Sequence, residues 1–169
     1  MEPQSGPGRI EKRFVLSLDE QYARLHKRSR AFVEIAPAEE FYKQPRPVVS
    51  AHPVYSCGEY LLRSAAAVEQ TFGGITANLW DDPFEWTLPE TLKTPALVAE
   101  YLDEVEATRL RGFALLRADE DLRKEIAMPS GEMQTLSELL LETLCRAAHY
   151  QGRAFASFRL FSELRLPPV

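Results

Sequence analysis

In the stretch LCRAAHYQGRAFASFRLF, residues 144 to 161, the polar side chains Arg146, His149, Tyr150, Gln151 and Arg153 crowd around Gly152. Their types allow two chemistries. Arginine and tyrosine donate hydrogen bonds and suit a carboxylate or phosphate, whereas histidine offers a lone pair that holds a metal only with two or three further ligands. On a helix, residues four apart share a side, so Arg146 and Tyr150 are neighbours and Arg153 and Ser157 continue roughly the same line. That line borders an apolar face of Leu136, Leu140, Leu144, Ala147, Ala148 and Phe155. Bundles build pockets at such borders, and every amphipathic helix passes there from core to water, so spacing alone leaves both readings open. Gly152 costs about 1 kcal/mol relative to alanine in a helix interior, which a packing or ligand-access role would explain.

The elements that must position this patch are helices. Ser17-Leu18-Asp19-Glu20 has the form of a capping box, and Leu18, Tyr22, Leu25, Phe32 and Val33 follow at helical spacing, predicting helix one over 17–35. Residues 37–42 can add a turn, and Pro45, Pro47 and Pro53 make 43–55 an extended connection. A second box, Ser56-Cys57-Gly58-Glu59, opens helix two, which should run to Gly73-Gly74. Residues 75–93, with Trp80, Phe84, Trp86 and two prolines, suit a crossover loop holding one short helical turn. Thr94-Pro95 starts helix three over about 95–117, and residues 118–131 connect onward, with a turn over 119–122. Thr135-Leu136-Ser137-Glu138 is a third box, opening helix four as far as about Ser162. No strand alternation stands out. The expected fold is an all-α four-helix bundle over residues 13–169, preceded by a flexible segment, 1–12. The long connections after helices one and two permit crossovers and disfavour simple up-down-up-down topology.

Composition removes other classes. The 169 residues carry 20 basic and 25 acidic side chains, a net charge of -5, the wrong sign for affinity built on neutralising phosphates, so no nucleic-acid partner is expected. The basic run His26-Lys27-Arg28-Ser29-Arg30 fans around a helix as a solvated face. No segment has the roughly 20 apolar residues of a membrane span, so the chain is expected to be cytoplasmic with no membrane partner. Cys57 and Cys145 are too few for a disulfide framework, and Cys57 reads as a small buried hydrophobe.

In the order of its parts the chain resembles the DinB/YfiT-like superfamily of metal-binding four-helix bundles. The resemblance spans about residues 17 to 167 and rests on "IAPAEEFYKQPRP" after helix one, "YSCGEYLLRSAAAVEQ" with its Ser-x-x-Glu start, "RADEDLRKEI", and "HYQGRAFASFRLFSELRLPP", similar to a His-Arg-Gly-Gln and trailing Arg-Leu pattern. It implies up-up-down-down topology and a homodimer. It also implies a metal held by one histidine in the second turn of helix two and two more, four apart, before the glycine of helix four. Those positions are Arg63, Arg146 and Tyr150 here, and the pattern's glutamine is replaced by Arg153. Guanidinium has no lone pair to offer a metal and repels a divalent cation, so no metal and no cofactor are expected. His149 points about 100 degrees away from the ligand position, and His26 and His52 are isolated.

The expected function is therefore that of a bundle with a degenerate metal site, binding a small anionic or thiol-bearing molecule in a pocket of Arg63, Arg146, Tyr150, Arg153 and His149. Structural uses of the arginines compete with this: helical pairing of Glu59 with Arg63 and of Glu142 with Arg146, or internal bridges to Glu69 or Glu106. Two other functions stay open. One is a metal-dependent thiol S-transferase or isomerase using displaced ligands such as His149, Tyr150 or Glu69. The other is a non-catalytic dimeric scaffold, favoured if Trp80, Phe84 and Trp86 are exposed.

Overall fold

A computed structural model describes residues 11–45, 54–85 and 87–168. The expectations for residues 1–10, Pro47, His52, Pro53 and Trp86 fall outside these residues. The helices are α1 (Arg13–Ile35), α2 (Ala38–Phe41), α3 (Cys57–Ala77), α4 (Pro95–Ala114) and α5 (Leu136–Phe158). Short 3-10 turns lie at Pro83–Glu85 and Asp119–Arg123, and β1 (Glu125–Ala127) pairs antiparallel with β2 (Met133–Thr135), Ile126 opposite Gln134. None of these helices is long and apolar enough to cross a membrane.

Two of the three capping boxes form. Glu59 N–H donates to Ser56 Oγ at 3.2 Å while Ser56 N–H donates to the Glu59 carboxylate at 2.9 Å, and Thr135 and Glu138 repeat the exchange at α5. Thr94 caps α4 ahead of Pro95. The first box does not form, because α1 begins a turn earlier. Ser17 is already helical and donates to the Arg13 carbonyl at 2.9 Å. A distant group supplies the cap instead: Asp119 Oδ1 accepts from Val15 N–H at 3.0 Å, and Asp119 N–H donates to the Glu11 carbonyl at 2.9 Å. This also ties down Glu11 and Lys12, which local composition assigned to the flexible segment.

Helix α3 likewise runs past Gly73-Gly74 and stops at Asn78, whose left-handed backbone has φ 55. Gly74 serves close packing, since a Cβ there would lie 2.4 Å from the Trp80 ring. Helix α5 ends at Phe158, short of the predicted Ser162. The β1–β2 hairpin was not expected. Its strands hold three residues each and expose Glu125, Ala127 and Met133, too little alternation to register as a strand pattern.

The long helices pack in a ring, α1 against α4, α4 against α3, α3 against α5 and α5 back on α1. Pairings along each contact give the directions. Tyr22 donates to the Leu140 carbonyl at 2.6 Å, Gln151 donates to the Leu25 carbonyl at 2.8 Å, and Phe32 meets Phe158, so α1 and α5 run parallel. Asp19 meets Arg109 and Arg30 meets Asp103, so α1 and α4 are antiparallel. Thr71 meets Thr143 while Tyr60 meets Tyr150, so α3 and α5 are antiparallel as well. The bundle is therefore up-down-down-up, not the expected up-up-down-down. Of the two long connections, the one after α3 joins parallel neighbours, whereas the one after α1 joins helices that lie diagonally in the ring and run in opposite directions.

The core lies inside this ring. Tyr22, Phe72 and Phe113 pack edge-on or tilted at one level, with Gly112 leaving room for Phe72, and Phe32, Phe41 and Phe158 fill the other end.

Candidate functional site: a two-arginine cleft between α3 and α5

Hydrogen bonds across the α3–α5 seam fix what faces what. Ser64 Oγ donates to the Ala147 carbonyl at 2.8 Å and the Thr71 and Thr143 hydroxyls meet at 2.7 Å, both buried. This register sets Arg63, in the second turn of α3, opposite Arg146 and Tyr150 of α5. The three side chains line one cleft of about 70 Å³ together with Gln70, Asp82 and Phe84, and Ala66 and Ala67 leave the space open. Past Gln70 and Arg146 the cleft continues into a groove of about 1000 Å³ beside the hairpin.

Arg63 is held in an unusual way. Its guanidinium carbon lies 4.3 Å from the Tyr55 ring centre and 3.9 Å from that of Phe84, and its Nε is buried without a hydrogen-bond partner among the described residues. Two rings can orient a guanidinium through its faces, but they leave its in-plane donors unsatisfied. Arg146 is exposed, and its Nη2 donates to Gln70 Oε1 at 3.3 Å.

None of the acids expected to neutralise these arginines does so. The Glu59 carboxylate accepts from Ser56 and from Gln44, Glu142 accepts from Gln134 at 3.1 Å, Glu69 accepts from the Tyr101 hydroxyl at 2.5 Å, and Glu106 pairs with Arg109. Among the described residues, no ion pair involves Arg63 or Arg146. Burial, with Glu104 nearby, pushes the Glu69 carboxyl up despite the bond from Tyr101.

The remaining predicted residues stay outside. Arg153 is exposed with its guanidinium 4.8 Å from the Tyr60 ring centre, and His149 is exposed with its ring 5.8 Å from that of Tyr150. Nothing lies near a Cβ built on Gly152, so no packing partner accounts for this glycine. Gln151, part of the same sequence patch, is buried and donates to Ser29 as well as to Leu25, a tie between α1 and α5. Spacing missed Gln70, Asp82 and Tyr55. The last two come from connections folding back on α3, which no helical period reports.

A metal does not fit this donor set. Arg63 and Arg146 offer charge of the wrong sign and no lone pair, and the other donors lining the cleft, one carboxylate at Asp82, the Gln70 amide and the Tyr150 phenol, include no histidine or thiolate and only one anionic group. The displaced ligands do not gather either, because Glu69 is turned to Tyr101 of α4 and His149 does not line the cleft. Among the described residues no cluster of three or more His, Cys, Asp and Glu could hold a metal ion. Of the crossover aromatics among the described residues, Trp80 and Phe84 are half-buried, Trp80 packing on Gly74 and Phe84 on Arg63. Cys57 is buried with its thiol directed at the Phe41 carbonyl, and burial pushes its pKa up to about 12, away from thiolate chemistry.

No family profile matches the sequence, and no curated relative matches it. Solved structures do. A protein from Exiguobacterium sibiricum, described as a candidate member of the DinB family, superposes with a TM-score of 0.65 at 16% identity, covering 92% of this chain and 97% of that one. A conserved protein from Enterococcus faecalis superposes with a TM-score of 0.62, also at 16% identity, covering 86% of this chain and 95% of that one. The chain has the DinB-like all-α fold.

Proposed function

We propose that the protein binds a small anionic molecule in the α3–α5 cleft, with Arg63 and Arg146 as charge partners and Tyr150 as a hydroxyl donor. The observation that carries this reading is the Arg63 guanidinium, fixed between Tyr55 and Phe84 and facing a cleft with a buried, unpartnered Nε. Orienting a cation in advance lowers the ordering cost of binding, and planar guanidinium matches carboxylate and phosphate. A thiol-bearing ligand would be held by the same acid group, without metal activation.

Calorimetric titration with inorganic phosphate and with propionate tests the reading. Binding is expected to weaken by about tenfold to a hundredfold in Arg63→Ala and in Arg146→Ala, the loss typical of a charge-assisted hydrogen bond. Equal binding in the wild type and both variants would reject the cleft as the site.

A further inference from the structure

The cleft contains one acid whose presence a site for simple anions does not need. Asp82, an exposed residue, lines it together with the arginines. Its Oδ1 accepts from Phe84 N–H at 3.0 Å, which fixes the carboxylate at the start of the 3-10 turn and leaves Oδ2 without a hydrogen bond among the described residues. No ion pair joins Asp82 to Arg63 or to Arg146, although all three line the same space.

Opposite charges on flexible side chains in one small cleft would ordinarily close on each other. Here each is held apart by a separate restraint. The rings of Tyr55 and Phe84 fix Arg63, Gln70 engages Arg146, and the Phe84 amide fixes Asp82. The result is a cleft whose positive and negative groups are not paired with each other, and a purely anionic ligand would feel repulsion from Asp82 as well as attraction to the arginines. Only a ligand carrying both charges answers both kinds of group.

We infer that the cleft takes a zwitterion, a small amino acid whose carboxylate meets Arg63 and Arg146 and whose ammonium meets Asp82. This inference rests on the proposed anion-binding reading and narrows its ligand class. The body of the molecule leaves past Gln70 and Arg146, the two residues shared with the wide groove.

The test compares matched pairs by calorimetry: glycine with acetate, β-alanine with propionate, and 4-aminobutyrate with butyrate, on the wild type and on Asp82→Asn. The asparagine keeps the oxygen that accepts from Phe84 N–H and removes only the charge. At least one amino acid should bind about threefold to tenfold more tightly than its plain carboxylate, the scale of one partly exposed ion pair. In Asp82→Asn that preference should vanish while the plain carboxylate binds at least as well as before. Plain carboxylates binding as tightly as every amino acid, with Arg63→Ala still abolishing binding, would overturn the zwitterion inference and leave the anion site standing. Failure of all six compounds to bind would overturn the zwitterion inference, and failure of inorganic phosphate as well would overturn both.

Discussion

Two arginine sites, one on each side of the bundle, show opposite solutions to the same problem. Between α1 and α4, Arg109 is only 2% exposed, yet its guanidinium is enclosed by Asp19 and by both oxygens of Glu106. Between α3 and α5, Arg63 and Arg146 have aromatic faces and an amide but no paired carboxylate among the described residues. The first arrangement is electrically complete and leaves nothing for a ligand to add. The second has donors to spare, at the edge of an open cleft. On the proposed reading, what separates a structural arginine from a binding one is the completeness of its partners rather than its depth.

Removing Arg109 gives the strongest way to break this comparison. Arg109→Ala leaves Asp19 and Glu106 facing each other across the α1–α4 seam, and should destabilise the fold by about 3 kcal/mol in urea unfolding. A loss below that of Arg63→Ala would contradict the assignment. Arg63→Ala gives up its stacking on two rings and should cost about 1 kcal/mol while removing anion binding. The two variants thus separate stability from binding.

The complete site also predicts a pH response. His26, beside Arg109, has its pKa lowered by burial, opposed by Glu106 and Asp103 and assisted by Arg30 and Arg109. Below about pH 6.5 the unfolded chain then binds a proton that the folded chain resists, so stability should fall as pH drops through that range. His26→Gln should flatten the slope in unfolding curves taken between pH 7 and pH 5. The smallest effect belongs to Gly152→Ala. With open space around the glycine, alanine should stabilise α5 by up to about 1 kcal/mol and leave binding unchanged, whereas lost binding would give Gly152 a role in ligand access.

Much of the fold was legible because its signals are local. Ser56, Thr94 and Thr135 each cap the helix that follows, and the apolar periods of α1, α3, α4 and α5 mark the elements. The start of α1 was hidden because its cap, Asp119, lies 104 residues away in the chain. The expected topology came from the family resemblance, and connection length could not test it, because length does not fix the relative direction of the helices that a connection joins. At the site, Arg63, Arg146 and Tyr150 were reached through a family resemblance and share one cleft. Asp82, Tyr55 and the stacking role of Phe84 were out of reach, since all three sit on connections whose path depends on tertiary packing.

The most direct test follows the two arginine side chains by ¹H–¹⁵N NMR while propionate is added. The account predicts that the Arg63 Nε–H resonance shifts in a saturable manner while that of Arg109 stays in place. An Arg63 signal that does not move, or one that moves only in step with Arg109, would contradict the claim that the α3–α5 cleft is the binding site.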